Sequence, residues 1–200
     1  ALWQLASVVL SLVAVTLTAL VLAVEAFAPG LVYLVSSGAS AEVQTLAADL
    51  LRITAPAMLF LSLSAVLTGL LYALKRFSLP AFTGAAFNGT IVLVTVLLAG
   101  RLEITAMALG WLAGALVQVL LQLPGLREAR LHFNLDWRHP GVRRILSLYG
   151  PVMLSLVVDV LILRPVSYNL ASQTGGRIIS WIEFATQHTQ LPHGLAATAI

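Results

Sequence analysis

The sequence has no cysteine among its 200 residues, and only 10% of the residues are charged. The absence of cysteine excludes disulfides, thiolate nucleophiles and cysteine-ligated metal sites within this chain. Soluble domains carry about 25% charged residues, so the low charge excludes an ordinary soluble domain. Intrinsic disorder requires low hydrophobicity and high charge, and a β-barrel porin requires strands that alternate apolar and polar residues. The sequence has neither pattern.

Long apolar runs dominate the chain instead. Hydrophobic residues make up 60% of it, and runs of about 20 such residues cross the hydrocarbon core of a bilayer as α-helices. The sequence therefore predicts an all-α fold, a polytopic transmembrane helical bundle that forms a single membrane domain over residues 1–200. We expect about six spans, at residues 3–27, 53–74, 80–99, 104–123, 146–170 and 178–200, with a cytoplasmic loop at 124–145.

The ends of the predicted spans carry specific signals. Pro29-Gly30 is expected to end the first helix, and residues 39–51 are expected to form an interfacial lead-in to the second. The sequence does not begin with Met and its last residues lie within an apolar run, a pattern that indicates part of a longer protein.

Basic residues indicate the orientation of the spans. If successive spans alternate in direction, one side of the membrane collects most of the basic residues, namely Lys75, Arg76, Arg127, Arg130, Arg138, Arg143 and Arg144. The positive-inside rule places that side in the cytoplasm. The first span is therefore expected to run from the inside to the outside.

Apart from Glu25, which lies near the end of the first span, three charged residues fall inside predicted spans: Asp159, Arg164 and Glu183. A charge in the bilayer core costs about 2.5–3.5 kcal/mol on insertion scales, so such a residue is a functional candidate by default. Counting from the helix ends, Arg164 and Glu183 reach similar depths on an antiparallel hairpin. We expect them to face each other, as an ion pair or as two walls of one water-filled cavity. The alternatives are a pair that only locks two helices together, or an Arg164 that snorkels to the outer interface.

Two further features surround these charges. Pro165 cannot donate to the carbonyl of Leu161, which predicts a kink near that residue. On the sixth span, polar residues recur at i, i+3, i+4 and i+7 and form one stripe, which faces either a cavity or a neighbouring helix. The stripe consists of Glu183, Thr186, Gln187 and Gln190.

The remaining polar positions have simpler interpretations. Arg52, at the start of the second span, is a snorkelling anchor or a substrate contact. In the loop, apolar residues alternate with polar ones from Leu131 to Trp137, a pattern typical of a basic segment lying on the cytoplasmic leaflet. Gly110 and Gly114 form a GxxxG motif that predicts close helix packing. No residues have the spacing of a metal site, and we expect no cofactor and no nucleic-acid partner.

Several local strings resemble the MurJ/MviN family of lipid II flippases. They are Leu50-Leu51-Arg52-Ile53-Thr54-Ala55-Pro56, Lys75-Arg76-Phe77-Ser78-Leu79-Pro80-Ala81-Phe82 followed by Asn88, Gln118 with Gln122-Leu123-Pro124-Gly125-Leu126, Gly150-Pro151, Leu170-Ala171-Ser172 and Gln190-Leu191-Pro192-His193-Gly194. The resemblance implies helices three to eight of a fourteen-helix transporter of the multidrug/oligosaccharide-lipid/polysaccharide exporter superfamily. One departure concerns the eighth helix, where the family usually carries an acidic-basic pair and this chain has Thr186-Gln187.

The resemblance implies a non-enzymatic transporter of the bacterial cytoplasmic membrane that flips lipid II, a lipid-linked peptidoglycan precursor, by alternating access. Its partners would be this lipid-linked oligosaccharide substrate and membrane lipids, and a coupling ion is an open question. The candidate cavity residues are Arg164, Glu183, Gln187, Asp159, Thr186, Gln190 and Arg52. The alternatives are a related exporter of polysaccharide-lipid or of small cationic compounds, in which Asp159 and Glu183 would bind the ion or the drug, and a remnant without transport.

Overall fold

Every regular element that the computed structural model describes is helical. The model describes residues 2–127, 129, 131–174 and 178–198, with side chains from residue 3 to residue 189 of those ranges. The α-helices are α1 (Leu2–Ser36), α2 (Ala41–Ala73), α3 (Ser78–Leu102), α4 (Ile104–Gln122), α5 (Pro140–Val158), α6 (Arg164–Thr174) and α7 (Ile178–Thr198). A 3₁₀ turn, Leu123–Leu126, follows α4, and a π-helical turn, Asp159–Leu163, joins α5 to α6.

Five helical segments are long and apolar enough to cross a membrane. They are Trp3–Ser36, Ala41–Ala73, Ser78–Leu102, Ile104–Leu126 and Pro140–Thr174, where the last combines α5, the π turn and α6. This multi-pass helical architecture confirms the predicted fold class. The sixth predicted span forms the helix α7, which is not among these five segments of the described residues.

The predicted end of the first helix at Pro29 and the predicted lead-in at residues 39–51 were both wrong. The helix α1 does not end at Pro29 but continues to Ser36. Proline at position 29 removes only one donor, the one that would bond the carbonyl of Glu25, and the other backbone groups of an apolar helix still need intrahelical partners. Residues 39–51 are not a separate interfacial segment either, because α2 runs without a break from Ala41 to Ala73.

The start of α2 has a physical explanation in Ser40. The carbonyl of Ser40 accepts a hydrogen bond from the backbone N–H of Gln44 at 3.0 Å, and its hydroxyl accepts one from the N–H of Val43 at 3.4 Å. A serine at the N-cap satisfies one of the donors that the first helical turn leaves free. Glu42 adds a negative charge to the first turn, where the helix dipole favours it.

The chain folds into two compact units. Unit 1 comprises Ala1–Ala28 and Asp49–Pro151, and unit 2 comprises Pro29–Ala48 and Val152–Ile200. In unit 1, α3 and α4 pack closely through the two glycines of the GxxxG motif. A Cβ atom added to Gly110 would lie 3.0 Å from the carbonyl oxygen of Ile91, and one added to Gly114 would lie 2.9 Å from that of Phe87. The motif therefore packs two helices together, as predicted.

A buried glutamine connects α4 to α2 within unit 1. Gln122 is fully buried, and its amide group donates to the Ser64 hydroxyl at 2.6 Å and accepts from the Thr68 hydroxyl at 2.9 Å. In hydrocarbon an unpaired amide would cost several kcal/mol, so this arrangement fixes the register of the two helices. Nearby, the Arg76 guanidinium donates to the Gly125 carbonyl at 2.6 Å and holds the turn after α4 against the end of α2.

Residues 132–134, which lie between α4 and α5, run along α1 within unit 1. The backbone N–H groups of His132 and Asn134 donate to the hydroxyls of Ser7 and Ser11, at 3.1 and 3.0 Å. The two serines lie one helical turn apart on α1, and two residues of extended chain span nearly the same distance. The helix α5 then begins at Pro140, six residues before the predicted start, because proline at the first helical position needs no hydrogen-bond partner.

Candidate functional site

The π-helical turn Asp159–Leu163 lies where the fifth predicted span was expected to be disrupted. Pro165 has no N–H to donate to Leu161, and the backbone N–H of Arg164 bonds the carbonyl of Asp159, five residues earlier. The helix thus accommodates the proline by widening one turn rather than by ending. π turns inside α-helices occur frequently at functional sites.

The widened turn brings Asp159 and Arg164 together. In an α-helix, residues five apart lie about 140° apart around the axis, whereas a turn closed by bonds between residues five apart places them on nearly the same face. The Arg164 Nε atom lies 3.3 Å from the Asp159 Oδ2 atom, and both side chains are half-exposed. Among the described residues Arg164 therefore pairs with Asp159 and not with Glu183, so the ion-pair form of the expectation was wrong. That Arg164 and Glu183 form two walls of one cavity stays a prediction.

Glu183 has a different partner in the same unit. The Tyr168 hydroxyl on α6 donates a hydrogen bond to the Glu183 carboxylate on α7, and this bond links the two helices. Arg164 and Tyr168 are four residues apart on α6, so they lie on one face. Unit 2 thus holds two polar pairs, Asp159–Arg164 and Tyr168–Glu183, within about one turn of each other along α6.

The rest of the α7 stripe is only partly engaged. The Thr186 hydroxyl donates to the carbonyl of Ile182 at 2.8 Å, so its own helix satisfies it without a cavity or a neighbouring helix. Gln187 is exposed, and the side chain of Gln190 lies outside the described residues. Lining of a cavity by this stripe stays a prediction.

Arg52 lies in unit 1. It forms an ion pair with Asp49, one turn earlier on α2, at 3.2 Å, and both side chains are about half-exposed. Exposed pairs of this kind contribute about 0–1 kcal/mol. The contact fits a local anchor at the helix surface, and a role in substrate binding stays a prediction.

Sequence reasoning missed a cluster that joins the end of α1 to α6 in unit 2. The Asn169 amide donates to the carbonyl of Leu34 at 2.9 Å and to the Ser37 hydroxyl at 2.7 Å. The backbone N–H of Gly38 donates to the Ser172 hydroxyl at 3.1 Å, and a Cβ on Gly38 would lie 2.6 Å from the Ser172 carbonyl oxygen. An asparagine within an apolar span was the available signal, because such a residue needs hydrogen-bond partners.

An apolar groove of about 640 Å³ lies beside this cluster. Its walls are aliphatic side chains of α1, the π turn and α6, with Asn169 as the polar member. A volume of a few hundred Å³ is typical of small-molecule sites. No group of three or more metal-ligating residues occurs among the residues that the structure describes.

Comparisons with known proteins give one family. The family model described as "Lipid II flippase MurJ" matches residues 3–200. A Lipid II flippase MurJ of Burkholderia cenocepacia is 34% identical over 179 residues, which cover 84% of this chain and 34% of that protein. A probable lipid II flippase MurJ of Rickettsia prowazekii is 28% identical and covers 96% of this chain and 38% of that protein.

A solved structure agrees with the sequence relatives. A chain described as "Lipid II flippase MurJ, inward closed conformation" superposes with a TM-score of 0.78 and 26% sequence identity. The superposition covers 96% of this chain and 41% of that chain. The chain thus spans little more than a third of the length of the relatives it matches.

Proposed function

Because the chain belongs to the lipid II flippase MurJ family, we propose that it contributes membrane helices to a transporter of a lipid-linked peptidoglycan precursor. The observation that carries the proposal is the family match over residues 3–200, on helices long enough to cross the membrane. Transport would proceed by alternating access, with a cavity that opens to one leaflet and then to the other. The reaction changes no covalent bond, so the residues have only to bind, orient and release the head group.

The proposed contact with the head group is Arg164. Its guanidinium is permanently charged and presents several donors, which suits recognition of an anionic, phosphate-containing group. Asp159 holds this charge in place when no cargo is bound, and its pairing lowers the cost of a charge within the membrane. Glu183, Gln187, Thr186 and Gln190 would extend the polar wall along α7.

Export of a cationic compound has less support. That function would need a carboxylate free to bind the cation, and Asp159 and Glu183 both have side-chain partners, Arg164 and Tyr168 respectively. A cation would have to displace an arginine or a tyrosine hydroxyl.

The experiment is genetic complementation with the full-length gene in bacteria depleted of their own flippase. We expect growth to be restored, with lipid-linked precursor accessible at the outer leaflet. The variant Arg164→Gln should reduce this accessibility at equal expression, whereas Arg101→Gln, an exposed position at the end of α3, should not. Absence of growth with a well-expressed, membrane-inserted protein would refute the proposal.

A charge exchange separates binding from mere helix support. In the double variant Asp159→Arg with Arg164→Asp, the ion pair can reform with reversed polarity on the same turn. If the pair only stabilises the helix, the exchange restores transport lost in the single variants. If Arg164 contacts the anionic cargo, the exchanged protein stays inactive although its unfolding free energy recovers.

A further inference from the structure

The segment between α4 and α5 has exposed apolar side chains, and exposed arginines precede and follow it. The apolar members Leu131, Phe133, Leu135 and Trp137 alternate along the segment and are exposed by 39, 71, 41 and 57%. We call this segment, residues 131–137, the basic loop, after the arginines that precede and follow it. Exposed apolar side chains of this size in a loop mark an interaction surface rather than an ordinary water-facing turn.

Arginines precede and follow these side chains in the sequence. Between residues 124 and 144 the sequence has five arginines and two acidic residues. Arg127 precedes the basic loop, Arg138 follows it, and Arg143 and Arg144 lie in the first turns of α5. All four arginines are exposed. Asp136 accepts a hydrogen bond from the backbone N–H of Arg138 at 3.0 Å, so this carboxylate closes a local turn.

The basic loop is held to the protein by its backbone rather than by its apolar side chains. The hydroxyls of Ser7 and Ser11, both buried on α1, accept hydrogen bonds from the backbone N–H groups of His132 and Asn134. Two anchors on alternate residues fix an extended stretch, and the residues between and beside the anchors keep their side chains exposed. The apolar side chains can thus contact a membrane or another molecule while the two backbone hydrogen bonds stay in place.

We propose that the basic loop and its flanking arginines form a docking surface for the anionic lipids of the cytoplasmic leaflet. The positive-inside rule puts this segment on the cytoplasmic side, where anionic head groups give the membrane its negative surface potential. Aromatic and aliphatic side chains enter the boundary between head groups and acyl chains, and the arginines contact the phosphates. The residues of this surface belong to unit 1, and none of them is a proposed contact of the cargo.

The test measures which lipid lies beside the loop in the full-length protein, made free of any other cysteine and reconstituted in bilayers. A fluorophore is attached through Leu135→Cys, which leaves Phe133 and Trp137 in place. Quenching by spin-labelled phosphatidylglycerol is compared with quenching by spin-labelled phosphatidylcholine. The matched control is Leu97→Cys, an exposed position on the apolar helix α3, five residues before its end.

We expect the ratio of anionic to neutral quenching at position 135 to exceed the ratio at position 97 by about fivefold at low salt. That factor corresponds to ~1 kcal/mol for one basic residue near an anionic surface. The variant Arg143→Gln/Arg144→Gln should lower the ratio toward that of position 97, and so should 0.5 M salt. If both lipids quench the label and the ratio of anionic to neutral quenching is the same at positions 135 and 97, recognition of charge is refuted.

A second outcome would refute contact with lipid altogether. If neither lipid quenches the label at position 135, the loop faces water or a protein. The variant Ser7→Ala/Ser11→Ala tests the anchoring step, since loss of both acceptors should broaden the depth at which the label is quenched. Unchanged quenching depth in that variant would show that the two hydroxyls do not hold the surface. Equal elution profiles and helical content of all variants establish that each is folded.

Discussion

Replacing Gly114 with alanine tests the close contact between α3 and α4. The added methyl group would lie 2.9 Å from the carbonyl oxygen and 3.0 Å from the ring of Phe87. A backbone oxygen within a regular helix cannot rotate away, so the two helices must separate by a few tenths of an ångström. Gly89 lies on α3, and a methyl group there would meet nothing within 4 Å.

The pair of variants isolates the steric cost. Alanine in place of glycine within a helix is worth ~1 kcal/mol from backbone entropy, and this gain is common to Gly114→Ala and Gly89→Ala. Overpacking a tight contact costs about 1–3 kcal/mol, and only Gly114→Ala incurs it. The free energy of unfolding of Gly114→Ala should therefore be lower than that of Gly89→Ala by about 1–3 kcal/mol.

The assay is reversible unfolding of the full-length protein in mixed micelles, followed by the fluorescence of tryptophan. Trp111 packs edge-to-face on Phe87 with a centroid distance of 5.2 Å, so its share of the emission changes when this interface opens. Equal unfolding free energies for Gly114→Ala and Gly89→Ala would refute the steric reasoning. It would mean that the helices can separate at Gly114 without loss of packing energy.

Three further predictions concern polar contacts. Gln122→Leu should lower the free energy of unfolding by about 1–2 kcal/mol, at ~0.6 kcal/mol for each interhelical hydrogen bond lost, and an unchanged value in the same unfolding assay would contradict it. Gly38→Ala should speed hydrogen exchange of the amide at position 38 at least tenfold, because the methyl group would collide with the α6 backbone. The control Gly30→Ala, whose methyl group has no neighbour within 4 Å, should leave the exchange rate at position 38 unchanged. Tyr168→Phe should reduce the stability of the α6–α7 contact, measured by exchange of α7 amides, while Glu183→Gln should keep a hydrogen bond through its amide oxygen; equal exchange in both variants would exclude the tyrosine bond as the link.

The sequence predicted the features that follow from local chemistry. Apolar runs predicted membrane helices because their length matches the bilayer, and Pro165 predicted where one helix departs from α-geometry because the missing donor is a local property. The small residues at 110 and 114 predicted a close helix contact for the same reason. The match of the family over residues 3–200 confirms the resemblance read from short strings along the chain.

Features that depend on helix register were not predictable in the same way. The partner of Arg164 depends on whether the turn before it holds four or five residues, and a proline is compatible with either. Continuation of α1 past Pro29 depends on the surroundings of the freed carbonyl. The contact between Asn169 and the end of α1 joins residues more than 130 positions apart, and no single-sequence pattern encodes such a pairing.

The π-helical turn changes which residues share a face of the helix. A turn that holds one additional residue shifts every later side chain by about 100° relative to an uninterrupted α-helix. A single helical wheel drawn through residues 152–174 therefore assigns Asn169 and Ser172 to the wrong side. Facing positions on α6 must be counted from Arg164 onward. A one-residue deletion within Asp159–Leu163 would remove the additional residue and leave the polar face of α6 where it is, whereas a deletion between Arg164 and Asn169 would turn the later residues of α6 by about 100°.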